Sequence, residues 1–169
     1  QSQVLPYIKG LCAEGFQFHI ISFEKPDRFA KYKHEISNQL AGLPIIWHPK
    51  MYHKNPPVIS AIFDLWVMQK LAVKLHKQMQ FQSIWCRSYM PGMVGMNLKE
   101  KFGVPFIFDM RGFWADERVE GGTWQQRKFI FQKVYQYFKK KEKQMLAAAD
   151  HVVVLTHKAK EILLQQQLH

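Results

Sequence analysis

Two hydrophobic patterns alternate along the chain. Short apolar runs rich in strand-forming residues are separated by longer segments in which apolar residues recur every three or four positions. The first pattern is typical of buried strands, and the second is typical of amphipathic helices. We therefore predict five strands, which cover residues 16–23, 43–48, 83–87, 104–108 and 151–155.

Helices are predicted between these strands. Ser2 is placed to cap the first helix, Pro6 falls in its first turn, and Gly15 ends it. Pro56 and Pro57 begin a long helix, because proline is favoured in the first helical turn. The apolar face of this long helix includes Ile59, Ile62, Phe63, Trp66, Leu71 and Leu75. The other predicted helices cover residues 29–40, 90–102, 123–149 and the segment that starts at 156.

The alternation of strands and helices favours an α/β fold. We predict one domain with a Rossmann-like open parallel sheet, helices on both faces and right-handed crossovers. Such a sheet usually begins with a strand, whereas this sequence of 169 residues begins with a predicted helix. A first, central strand is therefore expected upstream of Gln1. Without that strand, the sheet would have a gap beside residues 16–23.

The chain is strongly basic. It carries 24 Lys and Arg residues against 13 Asp and Glu residues, which gives a formal net charge of +11. This charge favours an anionic partner, a class that includes phosphorylated small molecules, acidic lipid and nucleic acid. The most apolar segment, residues 58–75, is interrupted by Asp64, Lys70 and Lys74, so no membrane span is predicted.

The cysteines and histidines do not predict a metal site. Cys12 and Cys86 lie far apart, each in an apolar run, which favours buried free thiols in a reducing compartment. His48, His53 and His151 share no metal-ligand spacing, so no metal is expected.

Residues 106–117 concentrate ionisable side chains around the end of a predicted strand. Ligands bind at the carboxyl ends of strands in open α/β sheets, so we interpret this segment as a candidate active-site loop. Asp109 and Arg111 are the candidate catalytic residues, since they can orient an acceptor hydroxyl or stabilise a leaving phosphate. The alternative is structural: Asp109 caps backbone amides and pairs with Arg111. The candidate substrate-binding residues of the loop are Gly112, Trp114, Asp116 and Glu117.

A second candidate binding segment follows the strand predicted at residues 83–87. Arg87 and Ser88 are expected at the same edge of the sheet as Asp109. Arg87 can reach a phosphate there, and Gly92 lets backbone amides approach it at a helix N-terminus. A purely structural turn is the alternative, because neither P-loop nor G-x-G-x-x-G spacing is present.

The helix predicted at residues 123–149 carries basic and aromatic residues along its whole length. In one interpretation its apolar stripe faces the core and its basic side is solvated. In the other, the helix lies on an anionic membrane surface, with its aromatic rings at the interface. The candidate membrane-surface residues are Arg127, Lys128, Lys139, Lys140 and Lys141.

Three segments resemble the N-terminal domain of family 4 glycosyltransferases. Residues 2–24 resemble its first helix and second strand, although Phe16 stands where that family often has histidine. Residues 106–117 resemble the aspartate-arginine-glycine loop of one branch of the group. Residues 149–156 resemble the alanine-aspartate-strand-serine/threonine passage that closes the domain. The three segments occur in the order of the family and span nearly the whole chain.

The resemblance implies the acceptor-side half of a two-domain glycosyltransferase of the GT-B type. In such enzymes the C-terminal half holds most of the nucleotide-sugar, usually with a glutamate pair at E-x₇-E spacing, which this sequence lacks. The family's glycine-rich loop would lie upstream of Gln1. The nucleotide-sugar is then a substrate, no cofactor is expected, and residues 1–169 alone are expected to be inactive.

The resemblance also implies where such an enzyme acts. A retaining transferase of cell-surface or polysaccharide assembly would be cytoplasmic, peripheral at the inner face of the membrane, and would use a glycan or lipid-linked acceptor. An open sheet edge at the start of the domain would favour a homodimer. The alternative function is a non-catalytic basic domain that binds anionic membrane or nucleic acid. Nucleic acid is not expected, because no recognised binding motif is present.

Overall fold

The computed structural model describes residues 4–122 and 129–165, in which helices alternate with strands. The helices are α1 (Leu5–Ala13), α2 (Pro26–Leu40), α3 (Pro57–Met79), α4 (Tyr89–Phe102), α5 (Trp114–Glu120), α6 (Phe129–Ala148) and α7 (His157–Gln165). The strands are β1 (Phe18–Glu24), β2 (Ile45–Met51), β3 (Ile84–Arg87), β4 (Phe106–Met110) and β5 (His151–Val154).

The described strands pair in parallel, which confirms the Rossmann-like α/β class. They form two sheets, one with the order β1-β2 and one with the order β3-β4-β5. Among the described residues, β1 and β2 each pair with one strand only, so each has one unpaired edge. The chain divides into two compact units, Gln1–Val67 and Met68–His169, and the boundary falls within α3.

The first unit has a small core. Ile8 of α1, Leu40 of α2 and Ile45 of β2 are buried together, and partly buried apolar side chains from the same elements pack around them. The two strands are also joined through their side chains, because the indole N–H of Trp47 donates to Ser22 Oγ at 2.8 Å.

The second unit is built around β4. Phe106 and Phe108 of this strand are fully buried, and both α4 and α6 pack against it. The close approach of α4 depends on glycine. A Cβ atom on Gly95 would lie 2.6 Å from both Cys86 Sγ and the ring of Phe106. The helix can therefore lie directly on the sheet, which fixes its N-terminus beside the end of β3.

Several predicted boundaries are wrong by two or three residues, and three of the differences have a local reason. β2 continues through Pro49, which pairs with Ser22, because an edge strand tolerates a missing amide donor. α2 begins at Pro26, since proline suits the first helical turn. β4 continues to Met110, so Asp109 lies within the strand rather than in the loop after it.

The short helix α5 was not predicted. Its first turn carries Asp116 and Glu117, and negative side chains are favourable at the positive end of the helix dipole. The helix predicted at residues 123–149 corresponds to α6, and the part of that prediction at residues 123–128 lies outside the described residues. Ser2, the predicted cap of α1, also lies outside them.

Candidate active site

The register of β3 and β4 brings two predicted site residues together. Arg87 pairs with Asp109 across the two parallel strands, one residue before the C-terminal end of β4. The backbone also joins the two strand ends, because the Ser88 amide donates to the Asp109 carbonyl at 2.9 Å. The sheet itself thus places the two side chains at the edge where α/β proteins bind ligands.

Two guanidinium groups share the Asp109 carboxylate. Arg87 Nη1 lies 3.8 Å from Asp109 Oδ2, and Arg111 Nη1 lies 3.5 Å from Asp109 Oδ1. The Asp109 side chain is 3 % exposed, whereas those of Arg87 and Arg111 are 30 % and 26 % exposed. We call these three residues the arginine pair site. Its two positive charges and one negative charge leave an excess positive charge that faces solvent.

Ser88 lies at the N-cap of α4 in an unusual backbone conformation. Its φ is +74°, a region that non-glycine residues rarely occupy, and its side chain makes no capping hydrogen bond. Strain of this kind persists only where the surroundings impose it, and it is frequent at ligand sites. Here it follows from the Ser88–Asp109 backbone hydrogen bond, which holds the chain against β4 as it turns into the helix.

Gly112 is required by its neighbour on α5. Its φ is +157°, and a Cβ atom at this position would collide with the carboxylate of Glu117. A glycine therefore allows the exposed Glu117 side chain to fold back over the loop that carries Arg111. The loop is therefore in direct contact with α5 through Gly112 and Glu117.

Trp114 lies in an aromatic contact between three helices. Its ring centroid is 5.6 Å from that of Tyr89 on α4 and 4.8 Å from that of Phe138 on α6. The guanidinium of Arg118 lies 5.1 Å from its ring centroid. The structure therefore places this predicted substrate-binding residue in the packing that holds α5 in position.

A second charged cluster lies behind the loop. Lys139 Nζ donates to Glu142 Oε1 at 2.6 Å and to Asp116 Oδ2 at 2.8 Å. The Tyr135 hydroxyl donates to Asp116 Oδ1 at 2.6 Å, and the Tyr89 hydroxyl donates to Glu142. We call these five residues the Glu142 cluster. It joins α4, α5 and α6 through two carboxylates and a single ammonium.

The pKa values in this cluster are shifted by burial and by its hydrogen bonds. Burial and the hydrogen bond to Glu142 raise the pKa of Tyr89. The hydrogen bond to Asp116 raises the pKa of Tyr135. Burial opposes the charge of Lys139, but its bonds to Asp116 and Glu142 outweigh burial and raise its pKa. All three donors therefore stay protonated, and the cluster is internally satisfied.

Sequence reasoning missed Glu142 and Tyr89. Glu142 is 1 % exposed, although it lies within a run of lysines. The signal was its position four residues after Phe138 and three before Met145, on the apolar side of the helix. A buried carboxylate at such a position needs hydrogen-bond donors, and the half-buried Lys139 supplies one of them.

The candidate membrane-surface residues of α6 are placed differently from one another. Lys140 is exposed, whereas Lys139 belongs to the Glu142 cluster and the Lys141 ammonium lies 5.9 Å from the Tyr137 ring centroid. Arg127 and Lys128 lie outside the described residues. A shallow depression of about 440 Å³ on this helix is lined by Tyr135, Gln136, Lys139, Lys140, Lys143 and Gln144.

The histidines form two separate contacts in the first unit. His19 Nδ1 and His48 Nε2 are 3.0 Å apart in stacked rings, and burial, followed by the charge of His19, lowers the pKa of His48. His53 Nδ1 lies 2.5 Å from Asp64 Oδ1. Within residues 4–122 and 129–165, no group of three or more His, Cys, Asp or Glu side chains is arranged to hold a metal ion.

The fold and the arginine pair site define a Rossmann-like α/β domain with a polar site at its strand ends. The family model of the glycosyl transferase 4-like domain matches residues 1–169, and the chain belongs to this family. The resemblance carried by the three sequence segments is thus confirmed. No curated protein and no solved structure matches the chain. None of the helices in the described part of the chain is long and apolar enough to cross a membrane.

Proposed function

We propose that residues 1–169 form the acceptor-side half of a nucleotide-sugar-dependent glycosyltransferase, and that the arginine pair site binds a phosphate group of its substrates. The observation that carries this proposal is the placement of two partly exposed guanidinium groups on one buried carboxylate at the strand ends. Family membership supplies the reaction class, because glycosyltransferases act on a sugar donor and an acceptor.

The charges favour a phosphate over a neutral sugar hydroxyl. Guanidinium groups bind phosphate oxygens through paired, charge-assisted hydrogen bonds. Arg87 and Arg111 both face Asp109, at 3.8 and 3.5 Å, so a phosphate bound at this edge would meet two guanidinium groups. The phosphate could belong to the leaving nucleotide or to a lipid-linked acceptor.

Asp109 acts in this proposal by positioning the two arginines. Its side chain is almost fully buried and its oxygens face the two guanidinium groups, so it does not reach an acceptor hydroxyl. Arg111 is the residue that touches substrate. Asp116 is held by Lys139 and Tyr135, and we propose that it supports the loop from behind. Ser88, Gly112 and Glu117 shape the edge of the same site.

The remaining parts of the proposal rest on the family. The donor is held mainly by a second domain outside residues 1–169, and the reaction retains the configuration of the sugar. The enzyme acts in glycan or polysaccharide assembly from the cytoplasmic side, peripheral to the inner face of the membrane. These assignments follow from the glycosyl transferase 4-like family and from the basic charge of the chain.

Release of the nucleotide product tests the proposed reaction. The complete enzyme is incubated with a panel of nucleotide-sugars and a membrane extract as acceptor source, and free nucleoside diphosphate is measured. We expect release from one donor with the complete enzyme and none above background with residues 1–169 alone. Transfer catalysed by residues 1–169 alone would overturn the acceptor-half assignment. Absence of release with every donor would overturn the transferase assignment.

A further inference from the structure

The first half of α3 exposes a row of large apolar side chains. Helical spacing places residues 59, 62, 63 and 66 on one face of the helix. Ile59 is 67 % exposed, Ile62 is 62 % exposed, and Trp66 is 56 % exposed. We call the row Ile59, Ile62, Phe63 and Trp66 the α3 stripe. These residues belong to the face that the sequence marks as apolar, and that part of the face is turned towards solvent.

Polar side chains on another face explain this orientation. Ser60 is 5 % exposed and its hydroxyl donates to the Pro56 carbonyl at 2.8 Å. Asp64 is 6 % exposed and accepts from the His53 backbone amide at 3.0 Å. The hydrogen bond from the His53 amide to the buried Asp64 carboxylate holds that side of α3 against the preceding segment, and the stripe lies on the side that is exposed to solvent. This arrangement is the reverse of that in an ordinary surface helix.

The surroundings of the stripe are basic and aromatic. Tyr52 and Met51, just before α3, are 42 % and 39 % exposed, and Lys50 and Lys54 beside them are exposed. The same helix exposes lysines further along, at Lys70, Lys74 and Lys77. Asp64 is the only acid between residues 45 and 81, and it is buried against His53. The surface therefore combines apolar side chains with positive charge, and the acid beside it is the half-buried Glu24, which pairs with Met51 across β1 and β2.

We propose that the α3 stripe, together with Lys50, Met51, Tyr52 and Lys54, docks the protein on the surface of an anionic lipid bilayer. Apolar and aromatic side chains next to lysines are the composition of helices that lie in the membrane interface. Interfaces between proteins are depleted in lysine, which argues against a second protein as the partner. The lysines match the negative potential of acidic headgroups. The inference rests on the peripheral membrane location proposed above and names the surface that would bind the bilayer, and its test does not require sugar transfer.

Between residues 131 and 148, helix α6 exposes few apolar side chains. Within residues 131–148, the exposed side chains are polar or basic apart from Tyr137 and Ala147, while Met145 and Leu146 are fully buried. The lysines of α6 can attract acidic lipid, but they have no exposed apolar row to insert. The α3 surface has both components, so it is the part that enters the headgroup layer.

Vesicle co-sedimentation tests the proposal. The chain is mixed with vesicles of neutral phosphatidylcholine, or of phosphatidylcholine with phosphatidylglycerol, and the bound fraction is measured. We expect binding to the anionic vesicles and little to the neutral ones. The variant Ile59→Gln/Ile62→Gln should lower the partition coefficient roughly tenfold or more, because it removes apolar area that the bilayer would bury.

A matched control separates the α3 stripe from general surface hydrophobicity. Leu155 and Leu164 are 56 % and 52 % exposed, so Leu155→Gln/Leu164→Gln removes similar side chains elsewhere. This control should bind vesicles like the wild type, and circular dichroism should confirm that both double variants are folded. Equal vesicle binding by the stripe variant and the wild type would overturn the proposal.

Charge and self-association give two further readouts. Lys50→Gln/Lys54→Gln should weaken binding to anionic vesicles and reduce the salt dependence of that binding. Light scattering gives the oligomeric state without lipid. If the wild type is a dimer that Ile59→Gln/Ile62→Gln converts to a monomer while vesicle binding is unchanged, the stripe binds a second copy and the bilayer proposal is wrong.

Discussion

The arginine pair site and the Glu142 cluster both lie in the second unit, yet they differ in net charge and in the length of their ionic contacts. The first has two guanidinium groups on one carboxylate at 3.5 and 3.8 Å. The second has two carboxylates on one ammonium at 2.6 and 2.8 Å, with two tyrosine hydroxyls as further donors. One site has more guanidinium groups than carboxylates, and the other has more carboxylates than ammonium groups, with each carboxylate held by short hydrogen bonds.

This difference shows how a structural ionic cluster can be told from a binding site in the same domain. A buried charge that short hydrogen bonds satisfy contributes to the position of helices, and removing its partner leaves an uncompensated charge. In the arginine pair site the carboxylate is buried but the two guanidinium groups are partly exposed, an arrangement that is frequent at functional sites. The two clusters should therefore respond to substitution in opposite ways.

The largest expected effect is on stability, from a change in the Glu142 cluster. Lys139→Met leaves the buried Glu142 carboxylate without its ammonium, and we expect the free energy of unfolding to fall by about 3 kcal/mol. Urea denaturation measures this change. The control is Lys140→Met, an exposed lysine on the same helix, which should stay within about 0.5 kcal/mol of the wild type. Equal stability of the two variants would remove the distinction between the clusters.

A smaller effect is expected in the loop that joins the clusters. Gly112→Ala introduces a Cβ atom against the Glu117 carboxylate, and the free energy of unfolding should fall by about 1–2 kcal/mol. Since the collision involves a flexible side chain, the double variant Gly112→Ala/Glu117→Ala should recover part of the loss. A thermal melt measures both variants. The structural reason given for Gly112 would be incorrect if the double variant were no more stable than the single one.

The smallest effect is expected at an exposed ion pair outside both clusters. Lys99 Nζ donates to Asp150 Oδ1 at 2.7 Å, and this bond, with one from the Phe106 amide, lowers the pKa of Asp150 from its ordinary 3.8. Stability from this pair is present above pH 3.8 and is lost as the pH falls through the lowered pKa of the folded state. Lys99→Gln should destabilise by less than about 1 kcal/mol at neutral pH.

A pH series of thermal melts tests the Asp150 assignment. The difference in melting temperature between the wild type and Lys99→Gln should shrink as the pH falls from neutrality to about 3. A difference that grows towards acid pH would contradict the assigned sign.

The sequence was sufficient for the arrangement of strand ends but not for their contacts. Alternation along the chain predicted parallel strands and placed Arg87 and Asp109 at the same edge of the sheet, and the observed register of β3 and β4 then pairs the two residues. The pairing of Lys139 with Asp116 joins residues 23 positions apart, and no local pattern encodes that contact. The packing of α5 on α6 brings these two side chains together.

Helix α3 shows a second limit of sequence patterns. Periodicity identified Ile59, Ile62 and Trp66 as one apolar face, but it does not reveal which face points inward. Asp64 is buried and accepts from the His53 amide, whereas that part of the apolar face is exposed. This contact joins residues 11 positions apart, and helical periodicity does not predict it.

Sugar-transfer kinetics of the complete enzyme test the central claim most directly. The comparison uses Arg111→Ala, Arg111→Lys and Lys139→Met, with kcat/KM expressed per folded molecule. We expect Arg111→Ala to lose roughly 100-fold or more in kcat/KM per folded molecule, because a substrate phosphate would lose its guanidinium donor. Arg111→Lys should recover part of the loss, and Lys139→Met should lose stability while keeping its rate per folded molecule. A wild-type rate for Arg111→Ala in a folded enzyme would contradict the account.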